Sequence, residues 1–222
     1  MSARIVVLIS GRGRNLQALI DACASGLIDG QVVAVISNHA EAGGLARARA
    51  AGIPALALSH RDFASREAFD AALIERIDPY QPNIVALAGF MRILTPAFVG
   101  HYLGRMVNIH PSLLPKYPGL HTHQRALEAG DRKHGATVHF VTAELDGGPA
   151  IIQGQFTVDA QDTADTLADR VMQTIELHIY PQALAWLAAG QVRLDGARAA
   201  FANGHPAPLI WDAGQEAPPC AA

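Results

Sequence analysis

Residues 5–9, Ile-Val-Val-Leu-Ile, form an unbroken apolar run that stops at Ser10-Gly11. A β-branched run of this length predicts a strand covered on both faces, the kind found in parallel sheets. A helix follows from about Asn15, with Leu16, Leu19, Ile20 and Cys23 at helical spacing and an end near Ser25-Gly26. The alternation then repeats. Residues 32–37 read as a strand, 42–51 as a helix closed by Gly52, and 54–58 as a short strand. Ser65 precedes an amphipathic helix carrying Ala68, Phe69, Ala72, Leu73 and Ile77, stopped by Asp78-Pro79. Residues 83–87 and 106–109 are two further buried strands, with a short helix opening at Thr95-Pro96 between them. Strands alternating with helices in this way predict an α/β protein with an open, doubly wound, mainly parallel sheet.

The pattern changes from Pro111. A Pro/Leu-rich loop over 111–120 leads to a short helix near 123–129. Strands over 137–142 and 150–158 flank Asp146-Gly147-Gly148, which predicts an antiparallel, hairpin-like extension. A long C-terminal helix begins after Asp162 and carries Leu167, Val171, Ile175 and Ile179, with Pro181 near its kink or end. Beyond Leu194 the chain is rich in Gly, Ala and Pro and has no periodicity. Residues 1–194 are therefore expected to form one domain, and 195–222 a loosely structured tail.

Composition narrows the function classes. The 17 Lys and Arg are scattered and outnumbered by 20 Asp and Glu, so the basic footprint of a nucleic-acid binder is missing and no such partner is expected. The two cysteines, Cys23 and Cys220, lie in unlike contexts, which excludes a disulfide framework. The longest apolar stretch, 84–91, falls far short of the ~18 residues that span a membrane. Residues 5–9 are too short for a secretory signal. A cytoplasmic protein without a membrane partner is expected, as a monomer or homodimer.

Candidate chemistry gathers at the ends of the expected strands. Ser10-Gly11-Arg12-Gly13-Arg14-Asn15 lies between the first strand and the first helix, where backbone N–H groups can hold an anion. Leu16 replaces the third glycine of a dinucleotide fingerprint, the second strand ends in Ser37-Asn38 without an acidic residue, and no GK[ST] follows. The turn reads either as a ligand-free tight turn or as a site for one phosphate of a mononucleotide-sized ligand. Asn108 and His110 flank Ile109, so period two puts both on one face at the carboxyl end of a buried strand. An Asn amide can donate to an oxyanion and a His can move protons near neutral pH; a hydrogen-bonded pair at a turn is the alternative. Asp146 is turn chemistry unless it faces His110. His121, His123, His134 and His139 lack the Cys or HExxH companions of a metal site and read as a hydrogen-bonded loop, so no metal is expected. Arg66 and Glu176 read as solvated helix positions, and residues 91–94 as a strand-to-helix connection.

Four segments then occur in order: IVVLISGRGRN at 5–15, AGFMRIL at 88–94, NIHPSLLPKYPG at 108–119 and ELDGGP at 144–149. Together they make the chain resemble the phosphoribosylglycinamide formyltransferases, folate-dependent enzymes of purine synthesis, over about residues 4–194. NIHPSLLP alone marks the wider formyltransferase superfamily; KYPG and the opening SGxGxN narrow it. The resemblance implies a formyltransferase-like fold with a Rossmann-like N-terminal half. It implies transfer of a formyl group from the co-substrate 10-formyltetrahydrofolate to the amine of glycinamide ribonucleotide, on the way to IMP. Small molecules would then be its partners. By match to the motifs, Asn108, His110 and Asp146 are the catalytic trio. Gly13, Arg14 and Asn15 would meet the phosphate and Glu176 the glycinamide. Arg66, Met91, Arg92, Ile93, Leu94 and Asn108 would line the folate site, with Val141, Thr142 and Asp146 in a loop closing over the pterin. Arg14 departs from the Ser that most members carry.

Three alternatives stay open at this level. A methionyl-tRNA formyltransferase is expected to add an RNA-binding domain where this chain has about thirty non-basic residues. A formyltetrahydrofolate hydrolase is expected to carry a regulatory domain ahead of its core. A non-catalytic nucleotide- or folate-binding module would need the glycine turn and an apolar pocket but not the trio.

Overall fold

In the computed structural model, which describes residues 2–215, the chain divides after Asn108 into two compact units. That division lies close to Pro111, where the sequence pattern changes.

The first unit is built on parallel strands. They are β1 (Ala3–Ile9), β2 (Gly30–Ser37), β3 (Ala55–Ala57), β4 (Ile84–Leu87) and β5 (Met106–His110), whose last two residues open the second unit. Their order is β3-β2-β1-β4-β5, and every neighbour is parallel. β1 is the centre: Ile5 to Leu8 pair with Ile84 to Leu87, while Val6, Val7 and Leu8 pair with Ala34, Val35 and Ile36 on the other side. Residues 5–9 are fully buried, which is why that run carries no polar position. The chain moves outward from β1 to β3, then returns to lay β4 on the opposite side of β1. Such a reversal is where open α/β sheets receive ligands, at the strands' carboxyl ends.

Helices α1 (Arg14–Ala24), α2 (Gly43–Ala50), α3 (Arg66–Ile77) and α4 (Pro96–His101) connect these strands. The Ser65 hydroxyl accepts the Ala68 N–H at 3.1 Å and starts α3. The Thr95 hydroxyl accepts the Phe98 N–H at 3.3 Å and, with Pro96 following, starts α4. Buried Asp70 of α3 accepts the Thr95 N–H at 2.6 Å and joins the two helices.

The second unit contains α5 (Thr122–Glu128), β6 (Lys133–Phe140), β7 (Ala150–Thr157), α6 (Ala164–Arg170) and α7 (Leu177–Ala188), followed by β8 (Val192–Asp195), β9 (Arg198–Phe201) and β10 (Leu209–Asp212). β6 and β7 form the expected antiparallel pair, and β10 adds to β7 in parallel. β6 starts earlier in the chain than the hydrophobic pattern suggested. The loose tail expected from residue 195 is corrected for the described part: β9 pairs with β8, and β10 with β7. The remainder of that expectation, 216–222, lies outside the described residues.

Pro181 sits inside α7 and does not end it. The irregularity lies upstream, in a π-helical turn over Val171–Glu176. Leu167, Val171, Ile175 and Ile179 are spaced by four and all buried. At 3.6 residues per turn, three such steps drift by about 120° around an α-helix. A wide i→i+5 turn absorbs the drift and keeps the four side chains inward. The Thr174 hydroxyl donates to the Arg170 carbonyl at 2.7 Å within this turn.

Ile175 rests on Gly154 of β7, where a Cβ would collide with it; a Cβ on Gly135 of β6 would collide with the Gly154 carbonyl oxygen. Gly135→Ala is therefore expected to lower stability by about 1–3 kcal/mol through overpacking. A urea midpoint that falls at unchanged slope checks this.

Candidate active site

Ser10, the residue after β1, ties three strand ends together. Its N–H donates to the Gly89 carbonyl at 3.1 Å, its hydroxyl donates to Asn38 Oδ1 at 2.5 Å, and the same hydroxyl accepts the Met91 N–H at 2.8 Å. The glycine turn follows. Gly13 precedes α1 in the left-handed region with φ 73°, and no side chain caps the helix. A Cβ on Gly13 would lie 2.7 Å from Gly44 Cα, and Gly44 N–H donates to the Gly11 carbonyl at 3.0 Å. Glycine is required here by both backbone conformation and close approach. The Arg47 Nε–H donates to the Arg12 carbonyl at 2.9 Å and braces the turn. Arg14 is half-buried and Asn15 buried, both in the first turn of α1, where backbone N–H groups have no intrahelical acceptors.

Residues 91–94 extend from the carboxyl end of β4. Met91 and Ile93 are 63% and 57% exposed, unusual for large apolar side chains. Arg92 turns back between them, its guanidinium 4.9 Å from the Phe69 ring centroid. Leu94 is half-buried, and Arg66 lies exposed at the first turn of α3, as the solvated reading expected. Asn108, half-buried in β5, pairs in register with Leu87 of β4.

His110 and Asp146 meet in the second unit. His110 Nδ1 lies 3.5 Å from Asp146 Oδ2, and His110 Nε2 lies 2.9 Å from the Tyr117 carbonyl. A carbonyl only accepts, so Nε2–H is the donor. Asp146 Oδ2 also accepts the Gly119 N–H at 2.8 Å. Asp146 adopts a left-handed φ of 51°, a turn conformation that Asp tolerates better than most side chains. Val141 and Thr142 follow β6, half-buried, on the way to it.

His139 stands on the other side of that carboxylate, Nε2 3.8 Å from Asp146 Oδ1. Its Nδ1–H donates to the Phe140 carbonyl at 2.9 Å, and burial pushes its pKa down. The hydrophobic pattern placed His139 in a strand but gave no sign of its partner. Nor did it show what holds the 111–120 loop. The Ser112 carbonyl accepts from the Thr137 hydroxyl at 2.7 Å, and the Leu114 carbonyl from the Gln153 amide at 2.6 Å. Polar residues inside β6 and β7 were the available signal.

Glu176 corrects the solvated reading. It is only 6% exposed and sits at the end of the π turn, and its charge joins burial in raising the pKa of Tyr180. His123 and His134 hydrogen-bond to each other at 2.9 Å. Among the described residues, no group of three His, Cys, Asp or Glu is disposed to hold a metal. A cavity of about 620 Å³, lined by Phe156, Arg170, Thr174, His178 and Trp211 among others, is bordered by none of the expected site residues.

The chain belongs to the formyl transferase family, whose model matches residues 3–184. It is an enzyme, a formyl-group transferase. The phosphoribosylglycinamide formyltransferase of Escherichia coli strain K12 is 60% identical over 190 residues, 86% of this chain and 89% of that protein. The trifunctional purine biosynthetic protein adenosine-3 of Drosophila melanogaster is 50% identical over 189 residues, 84% of this chain and 14% of that longer protein. Among solved structures, the phosphoribosylglycinamide formyltransferase from Coxiella burnetii in complex with CHES superposes with a TM-score of 0.89 at 49% identity, covering 95% of this chain and 100% of that one.

The buried histidine pair makes stability depend on pH. Burial, then the neighbouring His123, pushes His134 down to about 4. The unfolded chain takes up the proton near ~6.5 while the folded one does not, so stability present above that pH is lost as pH falls towards about 4. The urea midpoint is expected to drop between pH 7 and pH 5, and to drop less in His134→Gln. An equal drop in both proteins would remove His134 from the account.

Proposed function

We propose that this enzyme transfers the formyl group of 10-formyltetrahydrofolate to the amine of 5-phosphoribosylglycinamide, giving formylglycinamide ribonucleotide and tetrahydrofolate in purine biosynthesis. The observation that carries the chemistry is His110, buried and set between the Tyr117 carbonyl and the Asp146 carboxylate. Phosphoribosylglycinamide and purine biosynthesis come from the relatives' names, and the folate co-substrate from the resemblance of the sequence motifs.

The amine nitrogen attacks the formyl carbon and a tetrahedral oxyanion forms. The Asn108 amide donates to that oxygen. Both ring nitrogens of His110 face acceptors, so a ring carrying two protons satisfies both and supplies positive charge beside the oxyanion. As the carbon–nitrogen bond to folate breaks, the folate nitrogen gains a proton and the attacking amine loses one. Asp146 holds the Nδ1 proton and orients the ring.

The glycine turn at Gly13, Arg14 and Asn15 takes the phosphate, supported by the uncapped N-terminus of α1. Glu176 contacts the glycinamide. Arg66, Met91, Arg92, Ile93, Leu94, Val141 and Thr142 form the folate side; exposed apolar residues at a strand's carboxyl end suit a flat pterin. The enzyme works on small molecules in the cytoplasm, and among the described residues no helix is long and apolar enough to cross a membrane.

Incubation with both substrates, following tetrahydrofolate release and the formylated product, tests the reading. Product failing to form would overturn it. Asn108→Ala is expected to lower kcat by ~10²–10³ with little change in either KM, the cost of one oxyanion donor. A kcat close to wild type would deny Asn108 that role. Ile93→Asp, at an exposed position that leaves the core untouched, is expected to weaken folate binding in calorimetry by setting a carboxylate against an apolar ligand. Unchanged folate affinity would move the pterin elsewhere.

A further inference from the structure

Tyr117 and Gly119 hold the two reacting partners from one short segment of chain. The Tyr117 carbonyl accepts from His110 Nε2 at 2.9 Å, and the Gly119 N–H donates to Asp146 at 2.8 Å. The spacing between imidazole and carboxylate is therefore set by where Tyr117-Pro118-Gly119 sits. That segment is not in a relaxed conformation. Tyr117 has φ 57°, a left-handed state that a bulky residue rarely adopts, so something outside the segment must hold it.

Asp131, in the turn between α5 and β6, is the anchor. Its Oδ2 accepts the Tyr117 hydroxyl at 2.8 Å and its Oδ1 accepts the Lys116 ammonium at 2.8 Å. The carboxylate thus grips two successive residues and fixes the peptide between their side chains. Arg125 of α5 adds to the hold: its guanidinium lies 5.2 Å from the Tyr117 ring centroid and donates to the Pro118 carbonyl at 2.7 Å. The Asp131 carboxylate is only 15% exposed, so its bonds compete less with water than those of a surface pair. Asp131 touches neither His110 nor Asp146 in any of these bonds.

We infer that Asp131 is a positioning residue for formyl transfer: through the Tyr117 hydroxyl it aims the Tyr117 carbonyl at His110 Nε2 and so keeps Nδ1 turned to Asp146. The inference rests on the proposed role of His110.

Asp131→Ala and Tyr117→Phe are each expected to lower kcat about tenfold, the value of one ordinary hydrogen bond, with both KM values within about twofold of wild type. Because both variants cut the same link, the double variant should lose no more than either single one. Asp131→Asn should recover most of kcat, since its amide oxygen still accepts the tyrosine hydroxyl. Tyr117→Phe removes one oxygen only and keeps the test available should Asp131→Ala not fold. Wild-type kcat in Tyr117→Phe, multiplicative losses in the double variant, or a loss confined to KM would each overturn the inference. Long-range ¹⁵N NMR supplies a readout apart from activity: His110 Nε2 should be protonated in the wild type, and an unprotonated Nε2 would also overturn it. His110→Ala separates the two levels. If that variant keeps full activity, the role proposed for His110 fails; if it is inactive while Tyr117→Phe is unaffected, only the anchor fails.

Discussion

The hydrogen bond from His110 Nε2 to the Tyr117 carbonyl governs the arrangement of the groups around it, because a carbonyl can only accept. It fixes which ring nitrogen faces Asp146, and the same stretch of chain fixes Asp146 through Gly119. Much of the second unit secures that stretch. Thr137 and Gln153, polar residues spent inside strands, hold the start of the loop, while Asp131 and Arg125 hold its end. The loop is irregular in backbone but fastened along its length.

The first unit solves a different problem, that of bringing backbone close to backbone. β1 is surrounded by apolar partners and offers chemistry only where it stops. There the chain turns through glycines whose role is steric: Gly13 and Gly44 touch where neither could carry a Cβ. A helix begins directly after the turn, with Gly13 at its N-cap offering no side chain. Charge contributes less to this arrangement than the absence of side-chain bulk.

The strands and helices of the first unit were legible because burial on both faces leaves no polar residue in residues 5–9 or 84–87, and the turn between strand and helix has its own composition. Asn108 and His110 were legible for the same reason, as polar residues ending an otherwise apolar strand. What escaped was set by tertiary contact. His139 and Asp131 are ordinary polar residues until the fold brings them to Asp146 and Tyr117. Glu176 read as solvated because a charged residue on a helix usually is, whereas here it ends the π-helical turn and is buried. The four-residue spacing from Leu167 to Ile179 contained that information. The short strands after Val192 were missed because each is only four residues long, too short for alternation to stand out from a Gly/Ala-rich background.

Ser10 carries a mechanical consequence. One hydroxyl donates to the end of β2 and accepts from the loop that follows β4, while its own backbone begins the glycine turn. Turn and loop thus share a single pivot, and neither can shift far without straining the other. Whatever orders the turn thereby restrains the loop, and whatever orders the loop restrains the turn, because one hydroxyl serves both.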